Sequence, residues 1–165
     1  MQKPQILVVG LGNPILGDDG VGWRVADEVS RQLMSSDVEI DSLALGGLSL
    51  MERLVGYDEV IIVDAIQTQG GQIGEVYRYD LSELPDSGTR HTTAVHDMSL
   101  QTALILGKQM GVSLPARIQI VAVEAARVYD FSEEMTAAVE TAVPRAAQVV
   151  MKMLLEIEAA CRKSV

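Results

Sequence analysis

Residues 6–24 read ILVVGLGNPILGDDGVGWR, and the fold is decided there. A short apolar run rich in β-branched residues, Ile6 to Gly10, gives way to a loop of Gly, Asn and Pro, and helical spacing begins near Gly20. Strand, loop and helix start, in that order, open an α/β domain. The loop leaves the strand at its carboxyl end, where open parallel sheets hold their ligands. Two adjacent carboxylates, Asp18 and Asp19, lie in it just ahead of the helix. One of them can cap the helix by accepting from its free N–H groups, a solvated role expected of Asp18. Asp19 sits among glycines that let another molecule approach the backbone, and is the candidate functional carboxylate.

Outward from that stretch the α/β pattern continues. Gly20 to Met34 carries Val21, Val25, Val29 and Leu33 on one helical side and is ended by Ser35-Ser36-Asp37. VEIDSLAL (Val38 to Leu45) reads as a second strand, and Gly46-Gly47 as a tight turn into a short helix closed at Gly56. DEVIIVDA (Asp58 to Ala65) is a third strand, apolar enough that helices should cover both its faces. EVYRYDL (Glu75 to Leu81) alternates polar and apolar residues, as a half-exposed edge strand open to antiparallel pairing does. Residues 82–95 have no periodicity, and such a long irregular loop is a natural functional segment. A helix is expected from Asp97 to Met110 and a last strand at RIQIVAVEA (Arg117 to Ala125). Ser132 is the expected N-cap of a final helix reaching towards Ala160, with Glu133 and Glu134 in its first turn and Pro144 as a kink or restart. The sum is one domain over residues 1–165: a three-layer α/β fold with a five-stranded, mostly parallel twisted sheet and helices on both faces.

Composition narrows the function. With 165 residues, 48% of them hydrophobic, the chain can bury a real core. A net charge of -10 repels phosphate, so neither nucleic acid nor an anionic membrane is an expected partner. The one cysteine, Cys161, allows no internal disulfide or cysteine-rich metal site and lies far in sequence from both histidines. No signal-peptide pattern or membrane-length apolar run is visible, so a cytoplasmic location is expected. Gly10, Gly12 and Gly17 miss the dinucleotide spacing, and the acidic loop would face a pyrophosphate with like charge, so no nucleotide is expected. Nucleophile-elbow, H-E-x-x-H and P-loop patterns are absent.

What remains is a set of three side chains. Asp64 directly follows the Val60 to Val63 run. If the strand order begins 2-1-3, the connections of strands 1 and 3 leave on opposite faces, and Asp19 and Asp64 both face the crevice between them. The chain has two histidines, His91 and His96, both ahead of the Asp97 helix; His96 immediately precedes it. Asp19, Asp64 and His96 make a three-ligand site with open positions for a bound or borrowed metal. The same residue types serve as general acids and bases, so the residues alone leave both roles open.

GLGNPILGDDGVGWRVAD, the Gly46-Gly47 turn, VIIVDA and a single His just ahead of a helix together resemble the hydrogenase maturation endopeptidases, in order over essentially the whole chain. That family processes the large subunit of nickel–iron hydrogenases. The resemblance implies one cut near the C-terminus of the large-subunit precursor, made after nickel insertion. It implies that metal contacts fall on Asp19, Asp64 and His96, with Gly12, Asn13, Gly46 and Gly47 lining the approach of the extended C-terminal peptide. No metal would be permanently bound, because the nickel arrives already seated in the substrate. A non-catalytic factor that only recognises the nickel-loaded subunit would use the same residues. A nucleotide-binding α/β protein is the third reading, disfavoured by the acidic loop.

Overall fold

Strand β1, Ile6–Leu11, is buried along its whole length. It lies in a computed structural model that describes residues 4–35, 37–83 and 99–163. From β1 the chain passes through a 3-10 turn, Gly17–Gly20, into helix α1, Val21–Gln32, and returns as β2, Val38–Leu43. Helix α2, Gly47–Arg53, leads to β3, Glu59–Ile66, and then β4, Val76–Asp80. A 3-10 turn at Leu81–Glu83, helix α3 (Leu100–Gln109), strand β5 (Arg117–Glu124) and helix α4 (Ala137–Lys163) complete the domain.

The sheet order is β2-β1-β3-β5-β4; β4 alone runs antiparallel, at the edge where its alternating sequence belongs. Helices α1 and α4 pack together on one face, α2 and α3 on the other. The valine stripe of α1 (Val21, Val25 and Val29) is fully buried against the first face, beside Ala142, Ala146 and Val150 of α4. Leu50 and Leu54 cover the second, over Leu7, Val9 and Ile62. Among the described residues no helix is long and apolar enough to cross a membrane.

Two glycines let α1 rest directly on the backbone of the sheet. A Cβ added to Gly10 would lie 2.2 Å from the Gly22 carbonyl oxygen. One added to Gly22 would lie 2.2 Å from the oxygen of Leu11 and 2.5 Å from that of Val63. The first turn of α1 is thereby fixed over the β1–β3 junction, beside the strand that carries Asp64.

Two helix starts depart from expectation. Helix α3 begins at Leu100 rather than Asp97, because the Ser99 side chain accepts from the Thr102 N–H at 3.1 Å and caps it there. Helix α4 begins at Ala137, and Ser132 does not cap it. The Ser132 Oγ accepts from Glu134 N at 3.0 Å, while Ser132 pairs as a parallel bridge with Leu16 of the first loop. Pro144 lies on the exposed side of α4, which runs unbroken through it.

Asp80 ties the end of β4 to the start of β5. Its carboxylate accepts from Ser82 Oγ at 2.7 Å, Ser82 N at 3.1 Å and the Arg117 Nε at 3.1 Å. The Ser82 hydroxyl first, then its N–H and Arg117, hold this carboxyl below its ordinary value, against the opposing effect of burial. A lowered native value adds stability that is complete above the unfolded pKa, about 4, and lost as pH falls through the native one. Asp80→Asn is therefore expected to flatten the acid side of the stability profile, read from urea midpoints between about pH 5 and pH 2.

Candidate functional site at the carboxyl edge of the sheet

The first loop is built around Asp19. Gly12 continues the β1 pairing, its N–H donating to Leu43 O at 3.1 Å. Its φ of +127° is open to glycine, and a Cβ there would lie 1.8 Å from the Asp19 carbonyl oxygen. The next N–H, of Asn13, donates to Asp19 Oδ2 at 2.7 Å. Asn13 Oδ1 then accepts from Ile15 N at 3.2 Å, and its carbonyl from Leu16 N at 3.0 Å. The result is a closed loop that presents Asp19, 2% exposed, from a rigid frame.

Asp18 corrects the sequence reading. It is not a solvated cap but is wholly buried. Oδ2 accepts from Ala126 N at 2.9 Å, Arg127 N at 3.0 Å and Thr136 Oγ1 at 3.1 Å, and Oδ1 from Thr136 N at 2.7 Å. Main-chain bonds run alongside, from Asp18 N to Arg127 O at 2.7 Å and from Gly17 N to Ser132 O at 2.7 Å. A carboxylate taken out of water needs this many donors. Asp18 thus laces the first loop to the chain between β5 and α4.

Asp64 lies two residues before the end of β3, 2% exposed, with Oδ1 accepting from Ala65 N at 2.8 Å. Ile62 and Ile66 belong to the core under α2 and α3, so alternation points Asp64 to that face. Ala122 of β5 stands beside it, and Tyr77 of β4 beside Ala122. The chain leaves β1 towards β2 on one side and β3 towards β4 on the other, which makes the β1–β3 junction the topological switch point; α1 carries the first connection, and no helix carries the second. The 3-10 turn that carries Asp19 packs against β3, which carries Asp64. The acidity of the region is felt by Tyr79, whose hydroxyl is pushed up to about 12 by burial first, then by Tyr77, Glu124 and Asp64.

Of the remaining sequence-derived candidates, Gly46 is extended and half-buried, and Gly47 opens α2 with a φ of +51°. Both follow β2, whose Leu43 carbonyl accepts from the Gly12 N–H at 3.1 Å. His96 and His91 lie outside the described residues, which among themselves bring no three His, Cys, Asp or Glu together in a metal-sized group. Sequence reasoning passed over Glu124, a buried acid at the end of β5. Its signal was the one used for Asp64: an acidic residue directly after an apolar strand run, here IVAV.

The fold is a doubly wound α/β domain with two buried aspartates, Asp19 and Asp64, at its switch point. A family model described as hydrogenase maturation protease (HycI) matches residues 23–153. The HupD hydrogenase expression/formation protein of Thiocapsa roseopersicina is 24% identical over 161 residues, 97% of this chain and 72% of its own. The hydrogenase 2 maturation protease of Escherichia coli is 28% identical over 120 residues, 72% of each chain. Among solved structures, the hydrogenase maturating endopeptidase HybD from E. coli superposes with a TM-score of 0.78 at 25% identity, over 92% of this chain and 93% of that one. The chain belongs to the hydrogenase maturation protease family, and it is a peptidase.

Proposed function

We propose that this peptidase removes the C-terminal extension of a nickel–iron hydrogenase large-subunit precursor after nickel insertion, and that it reads the substrate-borne nickel through Asp19, Asp64 and His96. The observation that carries the proposal is the delivery of two buried carboxylates, one from the first loop and one from β3, to a single junction of the sheet. A carboxylate pair with an imidazole suits a divalent metal that arrives with its other ligands in place. The enzyme then needs no metal of its own.

A protein substrate also fits the surroundings of the crevice. Ile15, Leu45, Leu48, Ile73, Tyr129 and Phe131 are all exposed, Phe131 by 87%. Leu48 comes from the first turn of α2 and the others from the loops that follow β1, β2, β3 and β5, so all six emerge at the carboxyl edge that carries Asp19 and Asp64. Exposed apolar groups gathered around a polar centre mark protein recognition. The extended peptide runs between the Gly12–Asn13 and Gly46–Gly47 backbones. The substrate's nickel holds the scissile bond at the crevice, and the metal or one of the carboxylates activates the attacking water. The water oxygen adds to the carbonyl carbon, and its proton is passed on to the departing amine. The expected location is the cytoplasm, where a chain with a single cysteine depends on no disulfide.

The test is to incubate the purified protein with nickel-loaded and nickel-free precursor and to weigh the products. Loss of a C-terminal fragment from the loaded precursor alone is the expected result. Equal cutting of both would remove nickel from the proposal, and no cutting of either would leave a binding factor.

A further inference from the structure

Strand β5 lies between β3 and β4, so the chain joining β3 to β4 has to pass over the end of β5. Residues 67–75 form this arch, and Glu124, the last residue of β5, stands beneath it. Glu124 pairs with Ile66, two residues beyond the Ala122–Asp64 pair, so alternation puts its side chain on the same face as Asp64 and nearer the mouth of the crevice. The carboxylate is 2% exposed. Its Oε1 accepts from Thr68 N at 2.7 Å and its Oε2 from Thr68 Oγ1 at 2.8 Å. The main chain adds two bonds, Glu124 N to Glu75 O and Gly74 N to Glu124 O, each 2.8 Å. Gly71 passes so close that a Cβ there would lie 2.3 Å from Glu124 Cδ.

A strand as apolar as β5 has no packing need for an acid at its last position, and burying one is costly unless donors meet it. Here both carboxylate oxygens accept from one arch residue, Thr68. We infer that Glu124 is a positioning residue for the cleavage reaction: it pins the 67–75 arch as the β5-side wall of the crevice and so confines the substrate's extended chain to the side of Asp64 that faces Asp19. The inference rests on the proposed endopeptidase activity. Glu124 touches no reacting atom in this scheme, so its loss weakens the grip on substrate and spares the chemical step.

The test compares wild type, Glu124→Ala and Glu124→Gln on nickel-loaded precursor, with amide hydrogen exchange of residues 67–75 followed in the free proteins. Alanine leaves the Thr68 donors without their acceptor, whereas glutamine keeps an oxygen for the Thr68 N–H and an amide for the hydroxyl. Glu124→Ala is expected to raise KM about tenfold, hold kcat within about twofold and speed exchange in the arch about tenfold. Glu124→Gln is expected to restore all three to within about threefold of wild type. A fall in kcat at constant KM, an arch whose exchange does not respond, or a glutamine variant as impaired as alanine would each overturn the inference. Should the alanine variant fail to fold, Thr68→Val removes one bond only and is expected to raise KM about threefold with faster arch exchange; an unchanged KM then overturns the inference. Wild-type protein that leaves the precursor uncut defeats the proposed activity and the KM claim with it, while the exchange measurement still decides whether Glu124 pins the arch.

Discussion

Exchange of Asp64 for asparagine is expected to slow cleavage of nickel-loaded precursor by about a hundredfold or more, with little change in thermal stability. Asparagine has the shape of aspartate, and its side-chain oxygen can still accept from Ala65 N, as Asp64 Oδ1 does at 2.8 Å. What it removes is the negative charge, from a position 2% exposed at the switch point. A metal contact and a general base both need that charge, so the expected loss is the same for either role. Asp19→Asn is expected to behave alike, provided its amide oxygen turns to the Asn13 N–H that Asp19 Oδ2 now accepts at 2.7 Å. Initial rates by mass spectrometry, beside a thermal melt of each variant, make the comparison. Undiminished cutting by Asp64→Asn would take β3 out of the site.

Asp18→Ala is expected to have the largest effect on stability, about 3–5 kcal/mol. The substitution strips the acceptor from Ala126 N, Arg127 N, Thr136 N and the Thr136 hydroxyl, in a place from which Asp18 is wholly shielded from water. A buried donor left without a partner costs about 1–3 kcal/mol; these four are only partly buried, so their sum falls short of four full penalties, against a total of about 5–15 kcal/mol for a domain. The Asp19 loop loses its lacing at the same time, so cleavage is expected to fall beyond what the unfolded fraction accounts for. Urea unfolding and specific activity per folded molecule separate the two effects. A destabilisation below about 1 kcal/mol would mean that these bonds contribute little net free energy.

The two aspartates show what a sequence discloses and what it withholds. Asp64 was legible because its context is local: four apolar β-branched residues announce a buried strand, and the acid that follows must emerge at its carboxyl edge. The 2-1-3 start of the strand order and the edge position of β4 were legible for the same reason, since hydrophobic period and loop length constrain both; the insertion of β5 between β3 and β4 was not. Asp18 was misread because its partners are 108–118 residues away, and nothing in the neighbouring residues points to them. Ser132 failed in the same way: a residue suited to cap a helix was taken by Leu16 of a distant loop. Ser99 was missed because Asp97, two residues earlier, offers similar capping chemistry, and only geometry selects between them.

The lacing of the first loop by the last connection sets an order in time during synthesis. A ribosome that has released β1 to β5 has already made Asp19 and Asp64, yet the hydroxyl and N–H of Thr136 that clasp Asp18 are still to come. A nascent chain therefore holds Asp19 on an untied loop until Thr136, just ahead of α4, has left the exit tunnel. The loop that carries Asp19 is thus fixed only after β5 has been made and the chain behind it has emerged.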